Sequence, residues 1–245
     1  MATLILVRHG RTTANASGTL AGRTAGVRLD ELGHDQAGKA GARLAPVRLA
    51  TVVTSPLERC RQTTKAIVTA QQSQVPVITD KGIVECDYGQ WQGRPIKDLA
   101  KEPLWKTVQT QPSAAVFPGG ESMLAMQARA VAAVRRHDAA VTAEHGHEAV
   151  WAAVSHGDVI KSILADALGM HLDLFQRLHV DPASISIIRY TDARPFVLAT
   201  NTHDGELGWL NPPAKKRRRP SGRSGGARAQ EDAVIGGGAG PGGAS

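Results

Sequence analysis

The chain has 245 residues, with 42% apolar but only 4% aromatic residues and a formal net charge of +7. That is enough to bury a full α/β core, filled mainly by Leu, Val, Ile and Ala. The charge is uneven. Residues 211–245 carry seven Lys/Arg against Glu231 and Asp232, so the rest of the chain holds only +2 and is not a nucleic-acid-binding body.

Cys60 and Cys86 lack metal-site spacing and imply no disulfide framework. Both read as reduced thiols of a cytoplasmic protein. The first strand starts almost at residue 1, which leaves no room for a signal peptide. No apolar run approaches the ~20 residues of a membrane span, so no membrane partner is expected.

Leu4-Ile5-Leu6-Val7 reads as a strand buried on both faces, stopped by Arg8-His9-Gly10. Ligands of open α/β sheets bind beyond the carboxyl ends of such strands. Gly10 is read as leaving room for a ligand beside the backbone. A glycine-punctuated loop follows over 16–28. Asp30 is placed to cap a helix over Glu31 to Leu44, with Ala37, Ala40 and Leu44 facing the sheet.

Ala50 to Thr54 reads as a second strand. Ser55-Pro56 then reads as an N-cap with proline at the first helical position. The helix behind it carries Leu57, Cys60, Thr64, Ile67 and Val68 on one face and Arg59, Gln62 and Thr63 on another. Val75 to Ile78 is a short strand, placed at an edge by its proline. From Lys81 to Pro118 periodicity is weak, and this stretch reads as loops and short helices covering a site.

Pro118-Gly119-Gly120-Glu121-Ser122 opens a long helix to about Ala143, with Met123, Met126, Ala130 and Val134 buried. Its methionines read as core filler. Val150 to Ser155 repeats the design of the first strand and again ends in His156-Gly157 before a helix. That helix carries Ile160, Ile163, Leu164, Ala167 and Leu168 on one stripe and stops at Gly169. Residues 185–189 and 196–200 read as a closing hairpin.

Strands alternating with helices imply a three-layer α/β/α sandwich with a mainly parallel central sheet. Residues 1–210 form this domain. Residues 211–245, rich in Gly, Pro, Ala and Arg, are expected to be disordered. Their run Lys215 to Arg219 reads as a solvated tail, with contact to nucleic acid or another polyanion as the alternative. The sequence leaves the oligomeric state open.

Phosphoryl transfer without a metal needs a nucleophile, donors for the phosphate oxygens and an acid for the leaving oxygen. Arginine supplies bidentate donors that stay charged, and a helix N-terminus adds backbone N–H groups. Arg8, Arg59 and both His-Gly pairs stand at strand-to-helix transitions. One pocket would hold all four. The residue types alone do not choose between His9 and His156 as nucleophile, nor select Glu85 among the acids.

Arg8-His9-Gly10-x-Thr12-x-x-Asn15 is followed by Ser55-Pro56-Leu57-x-Arg59-x-x-Gln62-Thr63. Then come Glu85 with Gly89-x-Trp91-x-Gly93, Pro118 to Ser122, and Ser155-His156-Gly157. Five motifs in this order, over residues 3–200, resemble the histidine phosphatase superfamily, in its phosphoglycerate-mutase-like branch. The resemblance implies a metal-independent phosphomonoester hydrolase with a phosphohistidine intermediate and no cofactor.

By the resemblance, His9 is the nucleophile and Glu85 the acid and base. Arg8, Arg59 and His156 grip the phosphoryl group, with Gly10, Asn15, Gly22 and Gly157 at the substrate, a small phosphorylated metabolite. A phosphoglycerate-type mutase is the alternative, and a non-catalytic phospho-ligand binder a third reading. Only 34 positions separate Glu85 from Gly119, which favours the hydrolase. Two departures stand out. Gln92 replaces a frequent Glu, and the loop 20–29 lacks the Asp and Pro that usually follow Gly22-Arg23.

Overall fold

A computed structural model describes residues 1–211. Six strands form one sheet in the order β3-β2-β4-β1-β5-β6. They are β1 (Thr3–Arg8), β2 (Leu49–Thr54), β3 (Val77–Thr79), β4 (Val150–Ser155), β5 (Ile185–Tyr190) and β6 (Pro195–Thr202). The pairings β3–β2, β2–β4 and β4–β1 are parallel; β1–β5 and β5–β6 are antiparallel. The mainly parallel sheet and the closing hairpin are therefore present.

Among the described residues seven α-helices connect and cover the strands. They are α1 (Thr13–Ala16), α2 (Glu31–Leu44), α3 (Glu58–Ala70), α4 (Ile96–Leu99), α5 (Pro103–Thr110), α6 (Met123–His145) and α7 (Gly157–Ala167). The period of two along β1 explains the layers. Ile5 and Val7 join Ala40 and Leu44 of α2 and Cys60 and Ile67 of α3 in one core. Leu4 and Leu6 join Met126 and Ala130 of α6 and Ile160 and Leu164 of α7 in the other. Both faces of the central strands are thus covered, as a parallel sheet requires.

Local chemistry sets the helix starts. The Asp30 carboxylate accepts from the Gly33 N–H at the head of α2, and the Ser122 hydroxyl accepts from the Ala125 N–H at the head of α6. The expected Ser55 cap does not form. The α3 helix begins at Glu58 behind Leu57, with no side-chain cap; the buried Ser55 hydroxyl reaches only the Leu57 N–H of the local backbone, at 3.4 Å, and its shorter bond is to His156. The third strand starts at Val77, two residues later than expected, and its Val77 and Ile78 are exposed, as suits an edge. Leu168 caps α7 and is also exposed rather than on the buried stripe. The tail beyond residue 211 lies outside the described residues.

Candidate active site

Register brings the two His-Gly turns together. Across the parallel β1–β4 ladder Arg8 stands opposite Ser155, so His9 and His156 leave neighbouring strands at the same edge. Their ring centroids are 5.2 Å apart at 63°. The α3 helix delivers Arg59 between them. Its Nε donates to His9 Nε2 at 3.2 Å, and one Nη2 lies 2.7 Å from the Gly22 carbonyl and 3.2 Å from His156 Nδ1.

The contacts give the two imidazoles different roles. His9 Nδ1 lies 2.8 Å from the Gly10 carbonyl oxygen. A carbonyl only accepts, so Nδ1 carries the proton and Nε2 keeps its lone pair. His156 has both nitrogens engaged, Nδ1 accepting from Arg59 and Nε2 donating to Ser55 Oγ at 2.8 Å. Burial, then the nearby Arg59, hold both rings well below the usual histidine pKa; Arg8 adds to this for each. Both are neutral at pH 7.

The arginines are only partly satisfied by the protein. Arg8 Nη1 donates to the Val180 carbonyl at 2.7 Å. Arg8 Nε and Arg59 Nη1 are buried and have no hydrogen-bond partner among the described residues. Two buried cationic donors without acceptors are costly, and an anion beside His9 would satisfy both.

Glu85 closes the other side. Its Oε2 lies 3.8 Å from His156 Nδ1, and its Oε1 accepts from the Cys86 N–H at 3.0 Å. Burial, reinforced by the neighbouring Asp158 carboxylate, raises its pKa to about 7 against the pull of Arg59 and Arg8. A carboxyl in that range can both give and take a proton near neutrality.

Arg8, His9, Arg59 and Glu85 line a cavity of about 170 Å³ that also includes Thr12, Asn15, Gly22, Tyr88, Gly157 and Asp158; His156, fully buried, is not among the lining residues and stands behind Arg59. Asn15 Oδ1 is spent on a capping box with Thr12 at the head of α1. Gly157, first residue of α7, would bring a Cβ to 3.4 Å from Arg8 Nε. Gly10 is not among the lining residues, which corrects its expected role. A Cβ there would stand 2.3 Å from the Gly33 carbonyl oxygen, so the missing side chain admits α2, not a ligand. Its N–H donates to Thr63 Oγ1.

Sequence reasoning missed the clasp that holds Glu85. Arg23 Nε and Arg129 Nη2 both donate to the Glu85 carbonyl, at 2.8 and 3.0 Å. Glu121 receives both guanidiniums and the Asp87 N–H. The Gly-Gly-Glu-Ser motif is therefore structural support for the acid's backbone. Gln92, where the sequence departs from the pattern, accepts from the Arg23 N–H and so fastens the Gly22 loop to the cover. Arg129 lies within α6 with no local motif, and its half-buried acid partner Glu121 stands eight residues earlier.

The remaining candidates carry no chemistry. Cys60 and Cys86 are fully buried, and burial pushes both thiols up, Cys60 to about 12, which keeps them unreactive. Among the described residues no cluster of His, Cys, Asp or Glu fits a metal ion, and no helix is long and apolar enough to cross a membrane.

Comparison with known proteins agrees with the geometry. Residues 4–203 match the family model of the histidine phosphatase superfamily, branch 1. A bifunctional protein of Mycobacterium tuberculosis is 34% identical over 202 residues, covering 81% of this chain and 53% of its own length. The chain thus spans about half the length of the first curated relatives it matches. Phosphoserine phosphatase 1 of Hydrogenobacter thermophilus is 30% identical, over 84% of this chain and 96% of its own. The alpha-ribazole phosphatase of Shigella flexneri superposes with a TM-score of 0.71 at 26% identity, over 84% of this chain and 98% of its own. The chain belongs to the histidine phosphatase superfamily, branch 1.

Proposed function

We infer that the chain is a phosphomonoester hydrolase that works through a phosphohistidine at His9, with Glu85 as acid and base. The carrying observation is the bond from His9 Nδ1 to the Gly10 carbonyl. It leaves a neutral Nε2 lone pair beside two guanidiniums whose donors are not all used.

In the first half-reaction His9 Nε2 attacks phosphorus and the bond from phosphorus to the ester oxygen breaks. The Glu85 proton goes to the leaving alkoxide. Arg8 and Arg59 hold the phosphoryl oxygens, where charge is spread in the transition state, and neutral His156 fixes the Arg59 guanidinium through Nδ1. Water then attacks phosphorus and gives a proton to Glu85. The bond from phosphorus to nitrogen breaks, inorganic phosphate leaves, and both residues return to their starting states. Ser55 fixes the His156 tautomer throughout. The substrate is a small phosphorylated metabolite, as it is by name for the phosphoserine phosphatase relative.

The test uses p-nitrophenyl phosphate with EDTA present, and separately 3-phosphoglycerate with a trace of 2,3-bisphosphoglycerate. Steady phosphate release that EDTA does not slow supports the hydrolase. Fast isomerisation with little release would make the chain a mutase, and no turnover of either ester would leave only a binder.

A further inference from the structure

The cavity is charged unevenly. The only cations among its lining residues are Arg8 and Arg59, and both stand at the buried end beside His9. A bound phosphoryl group uses both. The other lining residues include Thr19, Leu20, Ala21, Asp158 and the exposed Asn15 and Ile96. They offer apolar surface, two neutral polar side chains and, besides Glu85, one carboxylate.

The Asp158 carboxylate is held in place. Its Oδ2 accepts from the Tyr88 hydroxyl at 2.7 Å, a neutral donor that orients the charge without cancelling it. The nearest cation, Lys161, has its ammonium 3.7 Å from Asp158 Oδ1. That ammonium donates to Gln176 Oε1, lies over the Phe175 ring and is outside the lining. Two further arginines close in sequence to lining residues are also committed, Arg11 to Asp30 and Arg23 to Asp87 and Glu121.

We propose that Asp158 is a specificity-determining residue, restricting this pocket to phosphomonoesters whose alcohol portion is uncharged or cationic. Esters with a second anionic group beside the phosphate are excluded. This assignment rests on the phosphatase reading of the same site. A carboxylate on the alcohol portion would meet Asp158 across a short, poorly hydrated gap with no guanidinium to receive it. Like charges there repel, and the incoming anion loses water without gaining a cationic partner. An ammonium or a hydroxyl at the same place has an acceptor waiting.

Glycerol 3-phosphate and 3-phosphoglycerate provide the test. They share the phosphate, the chain length and the leaving oxygen, and differ in a terminal hydroxymethyl against a carboxylate. The measurement is the ratio of their kcat/KM values on the full chain near neutral pH. Where turnover is slow, the ratio of their Ki values against p-nitrophenyl phosphate replaces it. The expected ratio favours glycerol 3-phosphate by at least about tenfold, and Asp158→Asn brings it several-fold closer to one. Any change in the folded fraction cancels in the ratio.

A wild-type ratio at or below one, or a ratio that Asp158→Asn does not move, overturns the assignment while leaving the phosphatase standing. Turnover of no phosphoester at all, p-nitrophenyl phosphate included, overturns the phosphatase and this assignment together.

Discussion

Arg8 and Ser155 face each other on the last rung of the parallel ladder between β1 and β4. That single register position decides the site. Each residue is followed directly by a histidine, so the two imidazoles emerge side by side although 146 residues separate them. A slip of one residue would turn the strand's side chains to the opposite layer and separate the rings.

Substituting His9→Ala should lower kcat/KM by at least about 10³-fold, because no other lone pair faces the pocket in the same way. Acid quenching followed by alkaline peptide mapping should place the labelled phosphoryl group on the wild-type peptide containing His9. Label on the peptide containing His156 would reverse the assignment drawn from the Gly10 bond.

Glu85 gives the pH dependence its sign. With a pKa near 7 in the folded chain, the acid form declines as pH rises through neutrality. For alkyl phosphates kcat/KM should therefore fall by about tenfold per pH unit above that point. For p-nitrophenyl phosphate, whose leaving group needs little protonation, the fall should be shallower. Identical profiles for both substrates would remove Glu85 from the acid role.

The same shift acts on stability. In the unfolded chain Glu85 loses its proton near the ordinary 4.5, while in the folded chain it holds it to about 7. Between these values the unfolded state binds fewer protons, so stability falls as pH rises. The full difference is on the order of 3 kcal/mol. Glu85→Gln should thus raise Tm relative to wild type at about pH 8 and have little effect at about pH 4. A Tm difference independent of pH would contradict the buried neutral acid.

Arg129→Ala should reduce activity without touching substrate. It removes donors to the carbonyls of Gly82, Val84 and Glu85 and leaves Glu121 with only Arg23 as its guanidinium partner. Loss of these partly buried charge-assisted bonds should cost about 2 kcal/mol, seen as a Tm lower by roughly 5 °C. The kcat should drop while KM changes little, since the acid and not the phosphate grip is displaced. An unchanged kcat in the folded variant would refute the clasp.

Truncation should follow Asn211 and not precede it. The Asn211 side chain accepts from the Arg48 N–H and donates to the Pro46 carbonyl. Removing residues 212–245 should leave turnover of p-nitrophenyl phosphate within about twofold, since the pocket lies wholly in residues 8–158. Removing Asn211 as well should lower Tm by a few degrees.

Most of the architecture was legible because its signals are periodic. The apolar runs of β1 and β4, the helical stripe of α7 and the Asp30 cap each show in a few consecutive residues. Ser55 misled because a serine before a proline has the form of a helix cap, while its actual partner, His156, lies 101 residues away. Arg129 and Tyr88 were opaque for a related reason. Their partners are a backbone carbonyl and a carboxylate brought near only by the fold, and backbone acceptors leave no mark on a sequence. The choice between His9 and His156 was likewise invisible, since it depends on which ring nitrogen meets a carbonyl.

The contact between Gly10 and Gly33 has a practical result. A Cβ at Gly33 would fall 1.9 Å from the Arg11 carbonyl oxygen, and one at Gly10 would strike Gly33 in return. Each position excludes even a methyl group on the other's account, so replacing both cannot rescue replacing one. A random mutagenesis screen for inactive clones should recover Gly33 beside His9, although its backbone faces the Gly10–Arg11 segment and no ligand. Engineering of α2 would have to begin beyond its first turn.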